Sequence, residues 1–303
     1  MIVWIASVPR SGNTFFRVVM HHLYGVDTYA AFKASEVLAT AAAEDLVGHS
    51  KLPEALGAAV AAGKPDQIRA ALDQLEDSNE LFIIKTHARG NELFGTNYRA
   101  ILLVRDGRDA CVSYANYMVD IPCTSAALNT RCRGMVQSKS GLMDRRAWRD
   151  LAKIVVMNSM KSVGLRRWLV SRRIDRLYGW AEMNRSWLDR KRKPVVVYFD
   201  RLIDDPIATV TEAVDKLGIG LSPRADASVP SFHELKKRFP SFFRKGRTGD
   251  WKNHFSPAQE RMFMERNRDM MVALNFVERP PISPGEISAP RGSQGFDAEY
   301  PLQ

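Results

Sequence analysis

The sequence predicts a single α/β domain, a central parallel β-sheet flanked by helices. Three observations predict it. Four short runs, Ile2–Ala6, Leu81–Lys85, Ala100–Val104 and Pro194–Phe199, are apolar at successive positions and rich in β-branched residues. Strands buried on both faces read that way. Stretches with helical spacing separate the runs, as crossovers between parallel strands require. Polar residues follow the runs: Arg10, His87, Arg105 and Asp200. In open parallel sheets ligands bind beyond the C-terminal strand ends, so these four are expected to converge.

The first run carries the strongest local signal. After Ile2–Ala6 comes the turn Ser7-Val8-Pro9-Arg10-Ser11-Gly12-Asn13-Thr14, then Phe15-Phe16-Arg17-Val18-Val19-Met20 at helical spacing. Strand, small-residue loop and helix form a phosphate cradle: the loop turns N–H groups inward and the helix N-terminus adds about half a positive charge. Gly12 permits close backbone approach to an anion. Asn13 and Thr14 can cap the helix or bond phosphate oxygens. An ordinary buried first strand and its turn is the plain alternative. The loop lacks the Gly-Lys-Ser/Thr ending that binds magnesium-triphosphate. Gly12-Asn13-Thr14 stands in its place, and the cation is Arg10, two residues earlier.

Between the first two strands, residues 34–78 are Ala-, Leu- and Glu-rich with breaks at Gly48, Pro53 and Gly63-Lys64-Pro65, which reads as two or three short packing helices. The third strand leads through Arg105-Asp106-Gly107-Arg108-Asp109 into a helix through Tyr117, which sets Ser113 two turns in, facing back toward the first loop. Residues 118–147 have weak periodicity and read as a lid or substrate loop, or else as disordered. Residues 148–193 read as basic helices: from Lys161 to Lys193 eleven Lys and Arg face only Asp175, Glu182 and Asp189. A solvated helix face is the plain reading of that cluster, with an acidic acceptor, an anionic surface or nucleic acid as the alternatives. Trp168, Trp180 and Trp187 are spaced for core anchoring. Asp204-Asp205-Pro206 opens a helix that Gly218 stops. From about Pro280 onward, Pro, Gly and Ser predict a loosely ordered tail, leaving 1–280 as the domain and 281–303 as its tail.

A chain of 303 residues with 45% hydrophobic and 26% charged residues reads as soluble and globular. The net charge of +10 implies an anionic partner. No secretory leader and no apolar run of membrane-spanning length is read, so the expected compartment is the cytoplasm. Cys111, Cys123 and Cys132 lack metal-ligand spacing and read as reduced thiols, with a Cys123–Cys132 bridge as the alternative.

A last basic stretch, Arg244-Lys245-Gly246-Arg247-Thr248-Gly249-Asp250-Trp251-Lys252-Asn253, forms a glycine-hinged anion grip. Taken with Ser7–Phe15, Lys85-Thr86-His87 and Arg105–Tyr114, it gives four matches in order. The chain resembles the cytosolic-type sulfotransferases, bacterial-like, from residue 2 to about 260. The resemblance implies a P-loop nucleoside-triphosphatase-like topology. It implies sulfuryl transfer from 3′-phosphoadenosine 5′-phosphosulfate (PAPS) to an acceptor hydroxyl or amine, releasing PAP (3′-phosphoadenosine 5′-phosphate), with no metal. By that resemblance Arg105, Ser113, Arg244, Lys245 and the Gly246 N–H hold the 3′-phosphate. Ser11, Gly12, Asn13 and Thr14 hold the 5′-phosphate, and Phe15 and Tyr198 line the adenine or ribose-phosphate region. His87 is the general base, with Arg10 and Lys85 neutralising the charge that builds on the sulfuryl and leaving phosphate. Two departures stand out: Arg10 replaces the family's usual Lys, and Phe15 its usual Trp.

Two rival readings fit parts of the chain. A kinase-like nucleotide phosphotransferase would share the sheet and first loop. A nucleic-acid-binding protein would use the +10 charge and the 161–193 cluster, but leaves the anion loops unexplained. The expected partners are therefore PAPS and an acceptor, not nucleic acid. The acceptor (sugar, lipid, peptide, small metabolite, phenol or amine) and the oligomeric state are open, and peripheral membrane contact is allowed.

Overall fold

The computed structural model describes residues 1–30, 44–50, 52–90, 97–120, 145–174, 179–239 and 243–278. Six strands form one parallel sheet: β1 (Ile2–Ser7), β2 (Thr28–Ala30), β3 (His49–Ser50), β4 (Phe82–Thr86), β5 (Arg99–Val104) and β6 (Val195–Tyr198), in the order β3-β2-β4-β1-β5-β6. The four long strands are those the apolar runs predict, each within two residues at its ends. β2 and β3 are additions, too short to show a pattern in sequence. β1 is central: Trp4 pairs with Ile84 of β4 on one side and Ala100 of β5 on the other. All pairings are parallel, so every polar segment that follows a strand emerges at one edge.

Alternate residues of each strand enter opposite core layers. Ile2, Trp4, Phe82, Ile84, Ala100 and Leu102 face one cluster; Val3, Ile5, Ile83, Ile101 and Leu103 face the other. This period-2 split explains why the runs read as continuously apolar: both faces are covered.

Helix α1 (Asn13–Tyr24) follows β1 and packs on the second layer. α2 (Glu44–Val47), α3 (Glu54–Ala62) and α4 (Pro65–Asp77) are the described helices of the stretch expected to hold two or three short ones before β4. α5 (Gly107–Asp120) follows β5. α6 (Arg145–Ser162), α7 (Arg166–Ser171) and α8 (Trp180–Leu188) make up the basic region. α9 (Phe199–Asp204) and α10 (Pro206–Leu217) follow β6. The expected boundaries of α10 hold: the Asp205 carboxylate accepts from the Ala208 N–H at 3.0 Å, and Gly218 ends the helix. α11 (Phe232–Arg238), a 3₁₀ turn (Asp250–Asn253) and α12 (Pro257–Ala273) complete the described chain.

The segment expected to be irregular over 118–147 is helical at both ends, in α5 to Asp120 and in α6 from Arg145. Its centre lies outside the described residues, as do Cys123, Cys132 and the expected tail. Trp180 and Trp187 are buried anchors as expected, but Trp168 is exposed. Trp168 lies on α7, which ends at Ser171, and the other two lie on α8, so they share no helical register.

Candidate functional site

The first loop is closed by its own side chains. Asn13 donates through Nδ2 to the Ile5 carbonyl at 3.1 Å and to Ser7 Oγ at 3.1 Å, tying the start of α1 back onto β1. Asn13 is thus the first helical residue rather than a cap. Gly12 takes the cap position, and no side chain caps the helix. The first-turn N–H groups of α1 therefore face the loop without a side-chain acceptor, which is the arrangement that favours an anion.

Gly12 has φ +95°, and a Cβ there would stand 2.9 Å from Phe199 Cδ2. Gly12→Ala pays for a left-handed backbone, about 1–2 kcal/mol, and for displacing the ring. A lowered melting temperature in a thermal scan, together with weaker anion binding, is the expected outcome. Arg10 also has a left-handed backbone (φ +71°), rare outside glycine. It is held there by Arg105, whose NH1 donates to the Arg10 carbonyl at 3.0 Å.

His87 stands just past β4. Its Nδ1 lies 2.8 Å from the Ser7 carbonyl and 3.3 Å from Ser7 Oγ. A carbonyl only accepts, so Nδ1 carries the proton and Nε2 keeps its lone pair. The segment bearing His87 is fixed by α8: Trp187 Nε1 donates to the Ala88 carbonyl at 2.9 Å, and the Gly90 N–H donates to Ser186 Oγ at 2.9 Å. Burial, then the Lys85 ammonium, holds the imidazole pKa well below its usual value; Arg17 and Arg10 act in the same direction. His87 is neutral at pH 7. Lys85 itself is buried on β4.

Three guanidinium groups meet at the strand edge. Arg10 Nε donates to Ser113 Oγ at 3.3 Å, so Ser113 does look back to the loop from α5. The Arg10 guanidinium also lies over the Tyr117 ring, 5.2 Å from its centroid. Arg105 is buried with its guanidinium 4.1 Å from the Phe199 ring centroid, and its NH2 donates to the Arg247 carbonyl at 3.1 Å. Burial first, then the mutual field of Arg10, Arg105 and Arg244, pushes Arg10 down to about 10 against the pull of Tyr117. Burial also takes Arg105 to about 10. Both remain charged at neutral pH, at an electrostatic cost that a bound anion would relieve. Among the described residues, Arg105 Nε, Arg244 Nε and Ser11 Oγ are buried without a hydrogen-bond partner.

Two acidic residues build the C-terminal grip, and the sequence reading did not single them out. Asp250 is buried beneath the loop and pairs with Arg244 at 2.9 Å and Lys245 at 2.6 Å, with Arg247 and His254 within 4.0 Å. Burial alone would raise its pKa, but the hydrogen bonds from Lys245 and Arg244 hold it below the ordinary carboxylate range. The stability it contributes is present above the unfolded value of about 3.9 and is lost only as pH falls through the depressed folded value.

Asp109 accepts from the Gly249 N–H at 2.6 Å and the Trp251 N–H at 2.9 Å, binding the loop to α5. Asp109→Ala strands both donors and is expected to cost about 2–4 kcal/mol in urea unfolding. Gly246 has φ +59°, and a Cβ would stand 2.5 Å from Phe232 Cε1. Both acids lie inside the Arg-Asp-Gly-Arg-Asp and Gly-Asp-Trp-Lys-Asn stretches, which is the signal that could have found them.

A cleft of about 260 Å³ opens at this junction, lined by Arg10, Ser113, Arg244, Tyr117, Asp120 and Arg166 among others. Arg166 of α7 donates to Asp120 Oδ2 at 2.5 Å and Asn116 Oδ1 at 2.8 Å, fastening the basic region to α5. Lys161 Nζ also reaches Asp120, at 3.5 Å.

Three expected site residues are placed differently. Phe15 is only 3% exposed, edge-on to Phe232 (5.5 Å) and Phe243 (6.5 Å), so it packs the core instead of offering a stacking face. Tyr198 belongs to the opposite core layer and meets Phe276 at 5.9 Å, because strand alternation turns it away from Phe15. Asp200 is exposed, its carboxylate accepting from the Arg201 N–H at 2.9 Å; Phe199 takes its place at the site, against Arg105. Arg10, His87 and Arg105 do converge. Thr14 is half-buried in the first turn of α1. Among the described residues no group of His, Cys, Asp and Glu is placed to hold a metal ion.

The chain is 32% identical over 118 residues to sulfotransferase 2A6 of Mus musculus, covering 32% of this chain and 41% of that protein. It is 30% identical over 118 residues to sulfotransferase 1C2 of Homo sapiens, covering 34% of this chain and 40% of that one. These matches span about two-fifths of the curated relatives. Among solved structures, mouse sulfotransferase SULT7A1 complexed with PAP aligns at a TM-score of 0.48 and 17% identity, over 91% of this chain and 88% of that one. The sulfotransferase-domain family model matches residues 2–274, and the chain belongs to that family.

Proposed function

We propose that the protein transfers a sulfuryl group from PAPS to a hydroxyl or amine of an acceptor and releases PAP. The observation that carries this reading is the gathering of Arg10, Arg105 and Arg244 beside an uncapped helix N-terminus, with Ser11 Oγ, Arg105 Nε and Arg244 Nε unpartnered. Donors and charges so arranged suit a polyanion. PAPS carries about four negative charges, with its phosphate monoester contributing roughly −1.5 to −2.

Arg105, Ser113, Arg244 and Lys245, with the Gly246 N–H, would hold the 3′-phosphate. Ser11 Oγ and the N–H groups of Gly12, Asn13 and Thr14 would hold the 5′-phosphate. Phe15 and Tyr198 are left out, being packed elsewhere. His87 Nε2 would take the acceptor's proton as the acceptor oxygen or nitrogen bonds to sulfur and the bond from sulfur to the 5′-phosphate oxygen breaks. The electron pair of that bond leaves on the phosphate of PAP. Arg10 and Lys85 would stabilise the charge developing on the sulfuryl and phosphate oxygens, while the loop fixes the in-line geometry. Arg10 cannot imitate a compact ammonium, but its fork can grip two oxygens at once.

Calorimetry of PAP against ADP and Mg-ATP tests the reading. Tight, metal-independent binding of PAP with ADP at least tenfold weaker is the expected result. Preference for Mg-ATP would replace it with the kinase-like reading. Indifference among the three would remove the 3′-phosphate site altogether.

A further inference from the structure

The basic region has an outward face that a solvated helix does not have. Along α6 the exposed positions among the described side chains are Ala152, Val155, Val156, Asn158, Ser159 and Ser162, while Met157 turns inward. Two β-branched apolar side chains thus point out beside small polar ones, where a surface helix packed on a core would turn them inward. Val155 and Val156 are each 56% exposed.

The exposed apolar residues continue into the turn between α6 and α7. There Gly164 takes a left-handed backbone (φ +82°), and Val163 is 71% exposed with Leu165 beside it. Leu165, Trp168 and Arg172 then share one face at i, i+3 and i+7. Trp168 is 48% exposed, with the Arg172 guanidinium 5.2 Å from its ring centroid. From Ala152 to Ile174 the chain holds six Lys and Arg and no Asp or Glu. Lys161 and Arg166 are spent on Asp120, and Arg173 donates to the Leu169 carbonyl and Met157 Sδ. Arg167 and Arg172 are exposed beside the apolar residues.

We infer that this α6–α7 corner docks on an anionic lipid surface. An exposed ridge of Val, Leu and Trp flanked by arginines suits the boundary between headgroups and acyl chains. There the apolar side chains leave water, Trp sits at headgroup level, and guanidinium groups meet lipid phosphates. A nucleic acid would pair with the arginines but gain nothing from four exposed aliphatic side chains. The inference stands apart from sulfuryl transfer. It uses none of the residues that hold PAPS in the proposal.

The test is co-sedimentation of the full chain with phosphatidylcholine vesicles, pure or with about a third phosphatidylglycerol. Binding is expected to the anionic vesicles and to be weak on the neutral ones. Arg167→Ala/Arg172→Ala should lower the partition coefficient about 30-fold, at about 1 kcal/mol per cation. Val163→Ser/Leu165→Ser/Trp168→Ser should lower it at least as far. All five positions are surface residues, so both variants should keep the wild-type melting temperature. Lys191→Ala/Arg192→Ala, a pair of exposed cations outside the ridge, should bind like wild type.

Equal binding to neutral and anionic vesicles overturns the inference. So does retention of binding by the ridge variants, or an equal loss in the Lys191/Arg192 pair. A concentration-dependent dimer in sedimentation velocity that the Ser variants dissolve would also overturn it, and would assign the ridge to a second copy of the chain.

Discussion

His87→Ala is expected to bind PAP as wild type does and to lose on the order of 10²–10⁴ in turnover, the usual contribution of a positioned general base. The separation of binding from turnover follows from the geometry. The bond from His87 runs to the Ser7 carbonyl, while the anion-binding donors lie on the next residues of the loop, on α5 and on the C-terminal grip. The pH profile adds a second reading. Burial and Lys85 disfavour the imidazolium, so neutral His87 persists below the ordinary histidine value of about 6.5. The acid limb of kcat/KM, which reports the free enzyme, should fall below that value. A bound polyanion offsets Lys85 and Arg10, so the acid limb of kcat should lie at higher pH than that of kcat/KM. Unchanged turnover in His87→Ala, or an acid limb that survives in it, would remove His87 from the chemistry.

Arg105→Ala/Lys245→Ala is expected to abolish discrimination between PAP and ADP, lowering PAP affinity by about 10²–10³-fold or more. Losing one partner of a buried charge-assisted contact typically costs 2–5 kcal/mol. Arg105 also bridges the Arg10 and Arg247 carbonyls, so part of the loss comes through the two loops it joins. Arg105→Lys separates these effects: it keeps the charge, loses the fork, and should recover only part of the affinity. Lys245→Ala alone leaves the Arg105 bridge intact and should still weaken PAP more than ADP. A double variant that folds and keeps the PAP preference would show that the 3′-phosphate is held elsewhere, or not held at all.

Much of the scaffold is legible because local chemistry dictates it. A strand buried on both faces must be apolar at every position, so β1, β4, β5 and β6 announce themselves; β2 and β3, three and two residues long, leave no period to read. Gly12 and Gly246 stand where side chains would strike Phe199 and Phe232, and they punctuate the two loops that the sequence already marks. Arg10, Ser113, His87 and Arg105 follow strands or lie two turns into a helix, and parallel topology brings such positions to one edge.

What the pattern left open depends on contacts between distant parts of the chain. Asp109 reaches Gly249 and Trp251 across 140 and 142 residues, and neither acid of the grip looks different in sequence from a solvated one. Phe15 and Tyr198 carry the right chemistry for a nucleotide platform. Phe15 is buried against Phe232 and Phe243, and Tyr198 is half-buried against Phe276 on the opposite side of the sheet. Trp168 shows the converse. Its spacing suggests an anchor, yet on α7 it is half exposed. Residue type and spacing therefore settle which elements form and which end of the sheet carries the anion-binding groups, because both follow from local backbone sterics and burial. Which side chains stay available for chemistry is settled by folding, because availability depends on what else competes for the same ring or charge.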